Sequence, residues 1–244
     1  MKGHLISTLV ALGVVGVFVS TDNIFAADAE KTAPLFDGLG KHQHPITTKS
    51  KIAQRYFDQG LTLCFAFNHT EAIRSFRAAL KADPDCAMAY WGIAYASGPH
   101  VNRPMDQDDN VRAWDAVQKA LALKSKANAN EQTYIDAVAK RYQAEFVEDR
   151  SASDKAYANA MREAIKQFPD DLDARVIFSE ALMDTMPWDY WLKDRSPKPE
   201  TEEAFAALRY VIQRDPDHQA QTTFSSTRLK PDRIRSRGFL PPTA

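Results

Sequence analysis

The chain has 244 residues, 44% of them hydrophobic, and carries 31 Lys/Arg against 32 Asp/Glu. That length and apolar content exclude a chain disordered throughout. The near-neutral balance excludes a strongly basic nucleic-acid binder or a polybasic membrane-surface protein as an account of the whole.

Lys2, the apolar run from Leu9 to Val19 and the stretch ending in Ile24-Phe25-Ala26-Ala27 predict a cleaved secretory signal over residues 1–26. The run is shorter than the roughly 20 residues a membrane-spanning helix needs, so no membrane association is expected after cleavage. Export places the chain in the periplasm or outside the cell. Residues 27–50 are a polar leader without helical periodicity, and Gly38, Gly40 and Pro45 predict an extended or turning arm.

From 51 to 217 the pattern is helical and repeats as a two-helix unit. In the first copy, about 53–86, Tyr56, Gly60 and Leu63 share one face of a helix, and Ala72, Phe76 and Ala79 share one face of the next. Asn68-His69-Thr70 forms the turn between them, and Pro84 closes the unit. Gly60 and Ala72 are expected where the two helices approach most closely, with Phe76 filling the space between this hairpin and the next. In the second copy, about 87–127, Tyr90, Ala94 and Ser97 fall 34 residues after Tyr56, Gly60 and Leu63. Ala113, Val117 and Ala120 then repeat the second-helix spacing after the inserted loop GPHVNRPMDQDD. A third copy spans about 128–171, with helices at about 128–146 and 153–168 that carry Tyr157, Met161 and Ala164. A fourth spans about 172–217, with helices at about 172–185 and 200–213 and Ala204, Leu208, Val211 and Pro216 in the diagnostic places. Residues 218–244 hold five Lys/Arg, one acid, three prolines and no apolar stripe, which predicts a disordered basic tail.

This unit resembles the tetratricopeptide repeat (TPR), a helix-turn-helix of about 34 residues that buries its apolar face only by stacking on copies of itself. HPI in the leader, AQRYFDQGL and FNH in the first copy, CAMAYWGIAYASGPHVN in the second and PWDYW in the fourth resemble an exported bacterial group of TPR proteins over about 35–217. The resemblance implies an all-α, TPR-like right-handed superhelix of about four helix-turn-helix pairs. It also implies a non-enzymatic role in binding an unidentified protein or peptide, without nucleic acid or cofactor. Proteins of that group continue with further repeats, so the sequence after His218 reads as a truncation or a frame change. Self-association through the uncapped C-terminal repeat follows as an expectation.

Two sets of side chains are candidate sites. Phe57, Leu61 and Phe65 form an i, i+4, i+8 row that Trp91 and Tyr95 extend on the next unit. The row is either covered by the leader or a further repeat, or it is an aromatic-lined cleft for a peptide or small ligand. The second set is histidine. His42 and His44 make a chelating pair, and His69 and His100 lie in turns on one rim of the array. Imidazole suits Zn, Cu or Ni, so a metal or small-ligand binding protein is the alternative function, although all four can meet only if the leader folds back along the groove. The places where some TPR domains clamp a peptide carboxylate with Lys and Asn are apolar, which excludes that partner class. Asp106, Asp108 and Asn110 imitate the start of a calcium loop, but Val111 stands where glycine is needed. Cys64 and Cys86 are offset by most of a helix and are expected to remain unbridged. Trp188, Tyr190 and Trp191 are expected to pack on the edge of the array. No nucleophile-base pair, HExxH or phosphate-binding glycine loop is present, so no catalytic residue is predicted.

Overall fold

In the computed structural model the described residues are 33–219. The predicted signal peptide and all but the first two residues of the predicted tail lie outside them. The described residues form eight α-helices: α1 (Lys51–Phe65), α2 (His69–Ala82), α3 (Ala87–Ala96), α4 (Gln107–Leu123), α5 (Ala129–Ala139), α6 (Ser151–Gln167), α7 (Leu172–Asp184) and α8 (Pro199–Arg214). Among the described residues there is no β-strand, only two isolated bridges in the loops before α4 and α8. Each helix packs on its successor, and α1 on α3 and α3 on α5 also touch, so α1, α3 and α5 line one layer.

The helix starts follow from local chemistry. Ser50 accepts the Ala53 N–H, and Asp171 accepts the Ala174 N–H. Asp106 with Asp109 and Asn128 with Glu131 form reciprocal capping boxes that satisfy otherwise orphaned backbone donors. The acidic run before α4 is thus a helix cap, and Asp109 is also paired with Arg103 and Arg112.

One boundary departs from the sequence pattern. The third unit's first helix stops at Ala139 rather than near 146. Directly after it Arg141 turns inward to donate to the Pro99 carbonyl and to Asp184, and the Tyr142 hydroxyl donates to the Ala94 carbonyl. These bonds hold residues 140–150 as irregular chain against α3 and α7, where continued helix would carry both side chains past their partners.

The core runs through all eight helices. Phe76 lies between the backbones of Gly60 and Gly92, where a Cβ on either glycine would be 2.6 Å from its ring. Ala72, Ala79 and Ala94 are fully buried, Leu63 is nearly so, and Tyr56 and Tyr90 pack at the core's edge, while Pro84 is exposed in its turn. Cys64 and Cys86 are buried free thiols. The loop aromatics divide. Tyr190 is buried and Trp191 packs on Phe205, whereas Trp188, at positive φ, is 52% exposed.

Candidate functional site

The leader folds back along α1 and is held there by its backbone. Gln59 accepts from the Phe36 N–H at 2.8 Å and donates to the Pro34 carbonyl at 2.9 Å. Gln54 does the same one turn earlier, accepting from the Ile46 N–H at 2.9 Å and donating to the His44 carbonyl at 2.8 Å. Asp58 accepts the His44 N–H, Tyr56 donates to the Ala33 carbonyl, and Glu131 accepts the Thr47 N–H. Gly38 and Gly40, both at positive φ, reverse the chain between the two clamped stretches.

This path settles where the predicted groove residues lie. Phe57, Leu61, Phe65, Trp91 and Tyr95 are all buried, with Trp91 stacked on Tyr95 at 5.2 Å and meeting the edge of Tyr134. The His44 ring lies over Phe57 and the His42 ring over Phe65. The row is core rather than an open cleft: leader histidines cover Phe57 and Phe65, while Trp91 and Tyr95 pack on one another and against Tyr134 and Glu180.

The histidines separate into two pairs. His69 and His100 stack on one another at 4.4 Å beside Phe67. Burial, the His100 ring and the nearby Arg141 and Arg103 charges depress the His69 pKa to about 4. Burial and Arg103 lower that of His100. His42 and His44 converge instead on Asp173, in the first turn of α7, and there they meet a third histidine. His218, which the sequence places in a disordered tail, is 4% exposed and packs its ring 4.9 Å from that of His42.

Asp173 is the hub. Its Oδ2 is 2.7 Å from His44 Nδ1. Its Oδ1 lies 3.1 Å from His42 Nε2 and 3.2 Å from His218 Nε2. Burial alone would raise the Asp173 carboxyl, but the contacts with His218, His42 and His44 outweigh it and hold the group well below the usual carboxylate range. Burial pulls His44 down, yet Asp173, with Asp171 and Asp58 behind it, raises it overall. Asp171 is fixed beside the hub, accepting from Tyr134 at 2.8 Å and from Asn130 at 2.6 Å. The cluster opens on a cleft of about 780 Å³ whose wall includes Lys41, Asn128, Gln167, Asp170 and Asp215.

A second polar cluster lies inside the array. Arg141 pairs with Asp184 at 2.7 Å, both nearly inaccessible, and stacks over Tyr157, while Tyr95 donates to Glu180. Burial raises the Glu180 and Asp184 carboxyls.

Asp173 and His218 carry no sequence signal of a site. An acid in the first turn of a helix is ordinary, and a lone histidine after a Pro-containing turn is equally so. No family model, curated protein or solved structure matches the chain.

Proposed function

We propose that this protein is a non-enzymatic helical-repeat scaffold of TPR type, acting after export in the periplasm or outside the cell, whose α1 surface holds extended polypeptide. The observation that carries the proposal is the pair of glutamine clamps. Gln54 and Gln59 each take one N–H and one C=O of an extended segment. Side-chain amides that pair with main chain hold a peptide with little regard to its sequence, as an added strand would. In this structure the leader is the peptide so held, and a partner segment would compete with it. The scaffold needs no cofactor, nucleic acid or catalytic group.

The test is fluorescence anisotropy of a labelled peptide spanning 33–50 against the full chain. Ile46→Pro removes the N–H that Gln54 accepts and weakens the chain's own leader. The peptide should bind this variant more tightly than wild type, and adding Gln54→Ala and Gln59→Ala should abolish binding. Affinity unaffected by loss of both glutamines would overturn the proposal.

A further inference from the structure

We propose that His42, Asp173 and His218 form a binding site for one divalent transition-metal ion of the zinc, nickel or copper class.

The spacing is that of metal ligands. Two imidazole Nε2 atoms lie 3.1 and 3.2 Å from one and the same carboxylate oxygen. Ligands held at about 2.0–2.1 Å from a common ion are separated by about 3.0 Å at an octahedral edge and about 3.4 Å at a tetrahedral one. Both distances fall in that interval. The directions of the donor atoms agree with that spacing. His42 Nε2 and Asp173 Oδ1 are buried, yet neither has a hydrogen-bond partner among the described residues. They are close without being aimed along a shared N–H···O axis, as ligand atoms are when they face a common point rather than each other. Buried polar atoms left in that state need a partner.

His44 is not a ligand in this arrangement. At 2.7 Å its Nδ1 is in hydrogen-bond contact with Asp173 Oδ2, which leaves no room for an ion between them. It is a positioning residue, fixing the carboxylate so that Oδ1 faces the two other imidazoles, and its own backbone is held by Asp58 and Gln54. His69 and His100, stacked apart from the cluster, take no part.

The donor set selects the metal class. Two imidazoles and one carboxylate suit Zn, Cu and Ni, whereas calcium takes six to eight oxygens. Three protein ligands leave a coordination position for water or a further ligand, and the adjoining cleft gives access to it.

The experiment uses the untagged full chain, stripped with EDTA, dialysed, and titrated with Zn²⁺ against a chromophoric chelator. Metal content is measured by mass spectrometry, and Co²⁺ serves as a spectroscopic probe. One ion per chain is expected, with a visible Co²⁺ absorption band. His42→Ala and His218→Ala should each weaken binding at least 100-fold and remove the band. His44→Gln should weaken it about 10- to 100-fold, the range for a group that orients a ligand. His69→Ala should change nothing. The circular dichroism of each stripped variant checks that it is folded, and His218→Ala, which alters a residue beyond the last helix, keeps the test decisive if His42→Ala does not fold. A wild-type chain that retains no ion, or binding insensitive to His218→Ala, would overturn the site.

Discussion

The ring of Phe76 lies so close to Gly60 that a Cβ there would sit 2.6 Å from it, and Gly92 of the next hairpin presses the same ring from the other side. One aromatic thereby spaces two hairpins, and both glycines are required by contact rather than by backbone conformation. Gly60→Ala and Gly92→Ala should each lower stability by about 1–3 kcal/mol from overpacking, offset by up to about 1 kcal/mol of improved helix propensity. Combining Gly60→Ala with Phe76→Leu should destabilise by less than the sum of the two single changes. Urea denaturation of the four variants measures this, and strict additivity would show that the ring does not set the spacing.

The buried pair of Arg141 and Asp184 supports the loop that follows α5, and its removal is asymmetric. Asp184→Ala leaves the guanidinium in the core with the Pro99 carbonyl and the Tyr157 ring but without its carboxylate, and should destabilise by about 3–5 kcal/mol. Replacing both by Met and Leu should recover most of that loss. A double variant no more stable than Asp184→Ala would mean that the Pro99 bond, not the ion pair, holds the loop.

Stability should depend on pH through His44 in one sense and through His69, with His100 beside it, in the other. His44 is raised in the folded state, so its contribution is complete below the unfolded value near 6.5 and is lost as pH rises through the folded value. Asp173, which faces it together with His42 and His218, is depressed, so its contribution is present above about pH 4 and fades only in stronger acid. His69 falls to about 4, so it stabilises the fold above pH 6.5 and that stability is lost as pH falls toward 4. For the metal-stripped protein, His44→Gln should therefore flatten the fall in melting temperature between pH 6 and 8. His69→Phe should flatten the fall between pH 6.5 and 4, by on the order of 2–3 kcal/mol. Parallel wild-type and variant curves in either window would remove that histidine from the account.

Four leader amides, those of Phe36, His44, Ile46 and Thr47, are bonded to side chains of α1 and α5 rather than to main chain. Hydrogen exchange should find them protected within an otherwise fast-exchanging segment. Gln59→Ala should release Phe36 while Ile46 stays protected, and Gln54→Ala the reverse. Loss of all four in either variant would mean that the leader docks as one rigid unit.

The helices were legible because their signals are local. Capping residues and small-residue spacing place α7 and α8 within a residue or two of their observed limits, at Leu172–Asp184 and Pro199–Arg214. What could not be read depends on partners far along the chain. Nothing near Arg141 announces that a cation will end a helix by burying itself against Asp184. Polar residues of the leader look solvated until Gln54, Asp58 and Gln59 turn out to bond its backbone. His42 and His44 were visible as a chelating pair, but Asp173 lies 129 residues beyond His44 and meets it only through the fold. His69 and His100 could join that pair only if the leader folded back along the groove; it does fold back along α1, but its histidines turn to Asp173 while His69 and His100 stack on one another.

An open stack of repeats unravels from whichever unit lacks a neighbour. Here the strand of chain ahead of the first hairpin and the residues behind the last one are fastened to the same carboxylate, Asp173, and Gln219 also donates to the Leu39 carbonyl across 180 residues of sequence. Neither flank can peel away while the clasp is shut, so the array should open in one all-or-none event, with the barrier set by those few long-range contacts rather than by its weakest unit.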